Sequence, residues 1–269
     1  MVRQGGPYRQ RVQQVSGRAH PRPDRRSGVM LAARSLLFNV LFVAWNVLVH
    51  VFYLPLLVMP RRFLVRGARI WATVTFALLA SICGLRHEIR GLENLPKHPC
   101  ILASKHQSAW DTLIFALVVD GPGFVFKQEL LWVPPLGWYI RHAGGIPINR
   151  KGGGAALRNM MAAARGVLNA GQYIVIFPEG TRVPPGERRP YHPGVAAFYS
   201  QLAVPVVPVA VNSGLFWGRR SFIKKPGMIV LELLPPIGPG LARKAFTARL
   251  EESIESASLR LMREAAQAS

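Results

Sequence analysis

From Ser35 to Met59 the chain runs for 25 residues without a charged side chain, SLLFNVLFVAWNVLVHVFYLPLLVM. At about 1.5 Å per residue a helix of this length crosses a ~30 Å hydrocarbon core, so the segment belongs in lipid or in a buried helical core. Asn39, Asn46, His50 and Pro55 interrupt it, and a second apolar run, Ile70 to Leu85, is 16 residues long and short for a span. Arg61, Arg62, Arg66 and Arg69 lie between the two runs, with Arg34 and Arg86 on the outer flanks. If both runs crossed fully, the four inner arginines would be exported, against the preference of basic loops for the cytoplasmic side. A shallow pair of helices dipping into one leaflet puts all six arginines at anionic headgroups. That arrangement is the expectation, ahead of a through-spanning hairpin and of a soluble core.

The net charge of +21 invites a nucleic-acid reading, but half the residues are hydrophobic, and membrane surface or an anionic substrate accounts for such a mixture better. Residues 1–28 hold seven arginines, one acid and no apolar periodicity. A disordered basic tail is expected over 1–29, because this stretch cannot bury enough apolar area to offset its ordering entropy. Met30 stands just before the long run, which makes it a candidate start with 1–29 as an upstream extension. A membrane-anchoring helix pair is then expected over 30–85 and one folded domain over 86–269. Cys83 and Cys100 fit neither a disulfide framework nor a paired-cysteine zinc site.

From Arg86 onward, short apolar runs alternate with turn signals and helical stretches. Strands are expected at His87–Arg90, Cys100–Ser104, Gly123–Lys127, Ile146–Ile148, Tyr173–Phe177, Val206–Val211 and Met228–Leu234. Helices are expected at Asp111–Val119, Leu136–His142, Ala155–Ala170, Val195–Leu202 and Arg243–Ala265. In the last, Phe246, Leu250, Ile254, Ala257 and Leu261 form one apolar stripe. The fold class is α/β: a mixed, mostly parallel sheet of about seven strands flanked by helices.

Four blocks carry side chains with chemistry. His106 leaves the second strand and Asp111 opens the next helix; a carboxylate on one imidazole nitrogen frees the other as a general base. The same spacing also suits a helix-capping Asp beside an ordinary loop histidine. The sequence Gly144–Arg150 delivers Arg150 to a strand end, ahead of Lys151 and three glycines. Phe177–Arg182 follows another strand: Gly180 permits close backbone approach, Thr181 offers a hydroxyl and Arg182 a bidentate fork for phosphate, while Glu179 either meets the ligand or braces the turn. The run Ala203–Gly214 contains a strand with prolines near its start, suited to an edge or pocket wall.

In this order the blocks resemble the PlsC-type 1-acyl-sn-glycerol-3-phosphate acyltransferases of the glycerolipid acyltransferase family. The motif residues are His106 to Asp111, Gly145 to Arg150, FPEGTR at Phe177–Arg182, and the Val-Pro-rich strand Val204–Val211. The resemblance implies that His106 is the general base and Asp111 its partner. It implies that Arg150, Glu179, Gly180, Thr181 and Arg182 bind the substrate phosphate, and that Val206 and Pro208 shape an acyl pocket. The implied reaction moves an acyl group from acyl-CoA or acyl carrier protein to the sn-2 hydroxyl of lysophosphatidic acid, or of another lysolipid. It implies no cofactor, no metal and no nucleic-acid partner, and a site on the cytoplasmic face of the inner membrane. Two positions depart from the family pattern: Lys105 stands where Asn often precedes the His, and Asn149 where Asp often precedes the Arg. His192 is a further candidate ligand contact, although a surface-loop histidine fits its position as well. Ser108 is the one hydroxyl near the His, and without a nucleophile elbow direct transfer is expected.

Overall fold

A computed structural model describes residues 25–149 and 152–268. Helix α1 (Arg25–Phe52) leads through a 3-10 turn (Leu54–Val58) into α2 (Arg61–Leu78), which ends in a single π turn at Leu79–Cys83. There follow β1 (Leu85–Arg90), β2 (Ile101–Ser104), the short helices α3 (Trp110–Leu113) and α4 (Phe115–Val118), β3 (Gly123–Lys127), α5 (Leu136–His142) and β4 (Ile146–Ile148). The chain continues with α6 (Gly153–Asn169), β5 (Ile174–Ile176), α7 (Pro193–Leu202), β6 (Val206–Val211), β7 (Gly227–Leu233) and α8 (Arg243–Gln267). The expected tail lies outside the described residues as far as residue 24, and from Arg25 the chain is helical.

The seven strands form one sheet in the order β1-β7-β6-β2-β5-β3-β4, parallel throughout except for the β6–β7 pair. Alternate side chains feed two cores. Leu102, Val175, Val207, Val209 and Ile229 meet Phe38 of α1 and Ala72 and Phe76 of α2, so the helix pair shares a core with the sheet. On the other face Ile101, Ala103 and Ile174 pack under α6, α7 and α8, where the stripe Phe246, Leu250 and Ile254 is fully buried and Phe246 stacks on Tyr199 at 3.8 Å.

Three expectations need correcting. The arginines between the apolar runs are not in a loop: Pro60 starts α2, and Arg61, Arg62, Arg66 and Arg69 ride on its first turns while Leu64, Gly67, Ala72 and Phe76 turn inward. Gly67 is needed there, because a Cβ would lie 2.7 Å from the Tyr53 ring, whose hydroxyl donates to the Gly67 carbonyl. Arg61 faces protein rather than headgroups, donating to the carbonyls of Gly121 and Ala143 at 2.9 and 2.6 Å. Finally, β6 is interior rather than an edge. Pro208 fits because its carbonyl alone is used on the β7 side, accepting from the Leu234 N–H just before Pro235 and Pro236 divert that chain. Two helices, Arg26–Phe52 and Arg61–Cys83, are long and apolar enough to cross a membrane.

Candidate active site

Strands β2 and β5 are parallel neighbours, so the segments following them leave the sheet side by side at its carboxyl edge, where open α/β sheets place their ligands. The Phe177–Gly180 turn closes through a Gly180 N–H to Phe177 carbonyl bond, and Gly180 adopts φ +62°, a left-handed conformation that glycine takes without strain. The two segments then clasp each other. The His106 backbone N–H donates to Glu179 Oε2 at 2.9 Å, and the His106 carbonyl accepts from Val183 N–H at 2.7 Å.

This clasp presents the His106 ring. Its Nδ1 lies 3.0 Å from Asp111 Oδ2, and its face stacks on Phe177 at 4.0 Å. Asp111 is fully buried, and the same oxygen accepts the N–H groups of Gln107 and Ser108 at 2.6 and 2.8 Å. Its other oxygen accepts the hydroxyl of Ser213, on the turn after β6. With this many donors the Asp111 carboxylate is fixed in place, and its contact with Nδ1 leaves Nε2 as the ring nitrogen available to the cavity that His106 lines. Asp111 does not cap α3, whose N-cap Ala109 has no side-chain cap bond; it ties down the Gln107–Ser108 turn ahead of the helix and meets the His106 ring.

The cavity holds about 1440 Å³ and is lined by two kinds of residue. Gly180, Thr181, Arg182, Lys127, Arg219 and Arg220 give it polar and cationic groups, while Val49, Leu64, Trp71, Phe124, Ile140 and Met160 give it apolar ones.

Of the expected phosphate ligands, Gly180, Thr181 and Arg182 line this cavity with His106 and His192. Arg150 lies outside the described residues. Glu179 does not face the cavity. Its carboxylate is fully buried 2.6 Å from Lys105 Nζ, which also meets Glu255 of α8 at 2.7 Å. Burial pushes the Glu179 carboxyl up to about 7 against the pull of Lys105. Burial pulls the Lys105 ammonium down, but Glu179 and Glu255 together outweigh it and hold it above its ordinary value. Val206 and Pro208 do not line the cavity either. Val206 pairs with Ile101 at the start of β2, the end of the sheet away from His106, and packs under α7 and α8.

Ser108 and Cys100 are poorly placed to act as nucleophiles. Ser108 is buried and its oxygen accepts the Trp110 N–H. Cys100 is buried in the core with its thiol pushed up to about 12. Lys127, Arg219, Arg220 and Ser213 went unnoticed in the sequence. Lys127 ends a recognised strand and was legible in principle, whereas Ser213 is tied to Asp111 only by the tertiary fold.

A family model described as Acyltransferase matches residues 86–212. The 1-acyl-sn-glycerol-3-phosphate acyltransferase of Pseudomonas aeruginosa is 35% identical over 76% of this chain and 80% of its own length. The alpha enzyme of the same name from Mus musculus is 30% identical over 67% of this chain and 65% of its own. Among solved structures, PlsC from Thermotoga maritima superposes with a TM-score of 0.70 at 24% identity, covering 86% of this chain and 97% of that one.

Proposed function

The chain belongs to the 1-acyl-sn-glycerol-3-phosphate acyltransferases, and from that premise we propose that it moves a fatty acyl group from a thioester to the sn-2 hydroxyl of lysophosphatidic acid, giving phosphatidic acid. The observation that carries the reading is the His106 ring, held against Asp111 and lining a cavity that offers both cationic and apolar residues. In the proposed reaction His106 Nε2 takes the proton of the sn-2 hydroxyl as its oxygen attacks the thioester carbonyl. The C–O bond forms, the tetrahedral intermediate collapses, and the C–S bond breaks. The imidazolium then returns its proton to the departing thiolate. Asp111 stabilises the imidazolium between those two transfers. The thioester supplies both acyl group and leaving group, so we assign no cofactor.

Arg182, with Thr181 and the Gly180 turn, is the phosphate site we assign, joined by Arg150 on sequence grounds. Arg182→Ala should raise KM for lysophosphatidic acid roughly 10–100-fold with kcat changed much less, since a charge-assisted bond to phosphate contributes about 1.5–3 kcal/mol. A kcat loss with unchanged KM would move Arg182 from binding to the chemical step.

The helix pair supports placement at a membrane, and the arginines of α2 favour the cytoplasmic face of the inner membrane. The deciding assay follows free thiol with acyl-CoA or acyl carrier protein as donor and lysophosphatidic acid or a lyso-ornithine lipid as acceptor. Turnover of lysophosphatidic acid is the expected result. Transfer only to the other acceptor would overturn the assignment.

A further inference from the structure

Between β3 and the end of α5 the chain reads LLWVPPLGWYI, eleven residues from Leu130 to Ile140 without a charged side chain. Glu129 precedes them and Arg141 follows. Unlike the other apolar stretches of this domain, this one is turned outward. Trp132 is 75% exposed and Trp138 51%, with Leu130, Val133 and Leu136 exposed beside them. An outward apolar patch of this kind marks a surface that meets a protein or a membrane.

Its neighbour decides which. Pro134, Pro135 and Trp138 face Val47, Val51 and Leu54 across an open apolar groove of about 450 Å³. Those three residues belong to the outward side of α1 and its following turn, where Val43 and Phe52 are also exposed. The loop therefore extends the surface that already reads as lipid-facing. Two further features suit hydrocarbon: paired prolines present no N–H needing a partner, and tryptophans favour the membrane interface.

The inner side of the same segment reaches the active site. Leu130, Leu136, Tyr139 and Ile140 line the cavity that holds His106, and Asn46 and His50 line both cavity and groove. At this shared lining the Tyr139 hydroxyl donates to the His50 carbonyl at 2.6 Å, and the two rings meet edge to face at 5.4 Å.

We propose that the Leu130–Trp138 segment, which runs into the start of α5, is a third membrane-inserted element, seated in the same leaflet as α1. The groove between them is filled by lipid acyl chain, and the Tyr139–His50 contact is the side wall through which the acceptor reaches His106 without leaving the leaflet. The insertion stands on the surface alone; the side route rests on the acyltransferase reading.

The experiment uses the full chain on vesicles of phosphatidylethanolamine and phosphatidylglycerol, with ordinary or brominated acyl chains. Brominated lipid should quench tryptophan emission, and Trp132→Phe with Trp138→Phe should remove roughly a third or more of that quenching, being two of six tryptophans. Unchanged quenching in this variant overturns the insertion, as does a concentration-dependent dimer with equal emission in both lipids. In the second arm, Trp132→Asp with Trp138→Asp should lower kcat/KM about tenfold or more for a long-chain acceptor in vesicles, since Asp is disfavoured in hydrocarbon. For a short-chain acceptor dissolved as monomer the same variant should stay within about twofold. Equal losses on both acceptors overturn the side route. Absence of transfer by the natural protein overturns that route together with the acyltransferase reading, and leaves the quenching result to decide insertion.

Discussion

His106→Ala should reduce thiol release by about 10²–10⁴-fold while the protein stays folded, the range expected for loss of a general base. The separation of activity from folding follows from which atoms of His106 do what. The clasp between the segments after β2 and β5 runs through its backbone, N–H to Glu179 and carbonyl from Val183, and alanine keeps both bonds. The side chain gives up its bond to Asp111 and its stack on Phe177, a partly exposed contact whose aromatic component is worth about 0.5–1.5 kcal/mol. Asp111 retains the donors Gln107, Ser108 and Ser213 and is not left as an unpaired buried charge. Asp111→Asn would be a less clean test, because it disturbs those donors as well as the tautomer. The check is a thiol-release assay beside a thermal melt of the same preparation. Near-normal turnover would remove His106 from the reaction, and a collapsed melt would show that the side chain holds the clasp.

The arrangement of His106 and Asp111 was legible because strand, turn and helix start follow one another within a few residues. The same locality made most strands readable: Val206–Val211 and Ile146–Ile148 are apolar runs bounded by proline, glycine or asparagine, and they occur as expected. What failed was whatever depends on sheet order or on residues far apart in the chain. The prolines of β6 suggested an edge, since an isolated strand cannot show that its partner β7 turns away at Pro235 just where Pro208 lacks an N–H. Val206 and Pro208 looked like pocket residues until the register with Ile101 and Ala103 set them back from the carboxyl edge. Arg61 looked like a headgroup ligand, because its carbonyl partners at Gly121 and Ala143 lie 60 and 82 residues further on. Lys105 stood in the sequence only as a departure from the family pattern beside His106, because its ion-pair partners, Glu179 and Glu255, lie in two other parts of the chain.

Lys105→Met should cost about 3–5 kcal/mol of stability, the range for removing one partner from a buried ion pair. Lys105 and Glu179 are almost wholly enclosed, and Glu255 of α8 completes the set with the Tyr191 hydroxyl donating to it. Two carboxylates thus share one ammonium, and methionine fills the space of the lysine stem while leaving both without it. A shift of roughly 10 °C in melting temperature corresponds to that loss for a chain of this size. The loss should depend on pH, with a sign set by Glu179. Its folded carboxyl is raised to about 7 from an ordinary 4.5, so the folded state holds that proton more tightly than the unfolded one. Its contribution favours folding below about pH 4.5 and fades as pH rises through about 7. Without the ammonium the carboxyls should be raised further, so the difference between Lys105→Met and the natural protein should widen from pH 5 to pH 8. Glu255→Gln added to Lys105→Met removes one of the stranded charges and should restore part of the melting temperature, the coupling expected of residues in one network. Equal melts for the natural protein and Lys105→Met at pH 8 would show that the ammonium does not hold the two carboxylates. The further consequence is kinetic, because Glu179 accepts the His106 N–H: in Lys105→Met molecules that remain folded, kcat should fall with little change in KM, as the clasp that aims His106 loosens.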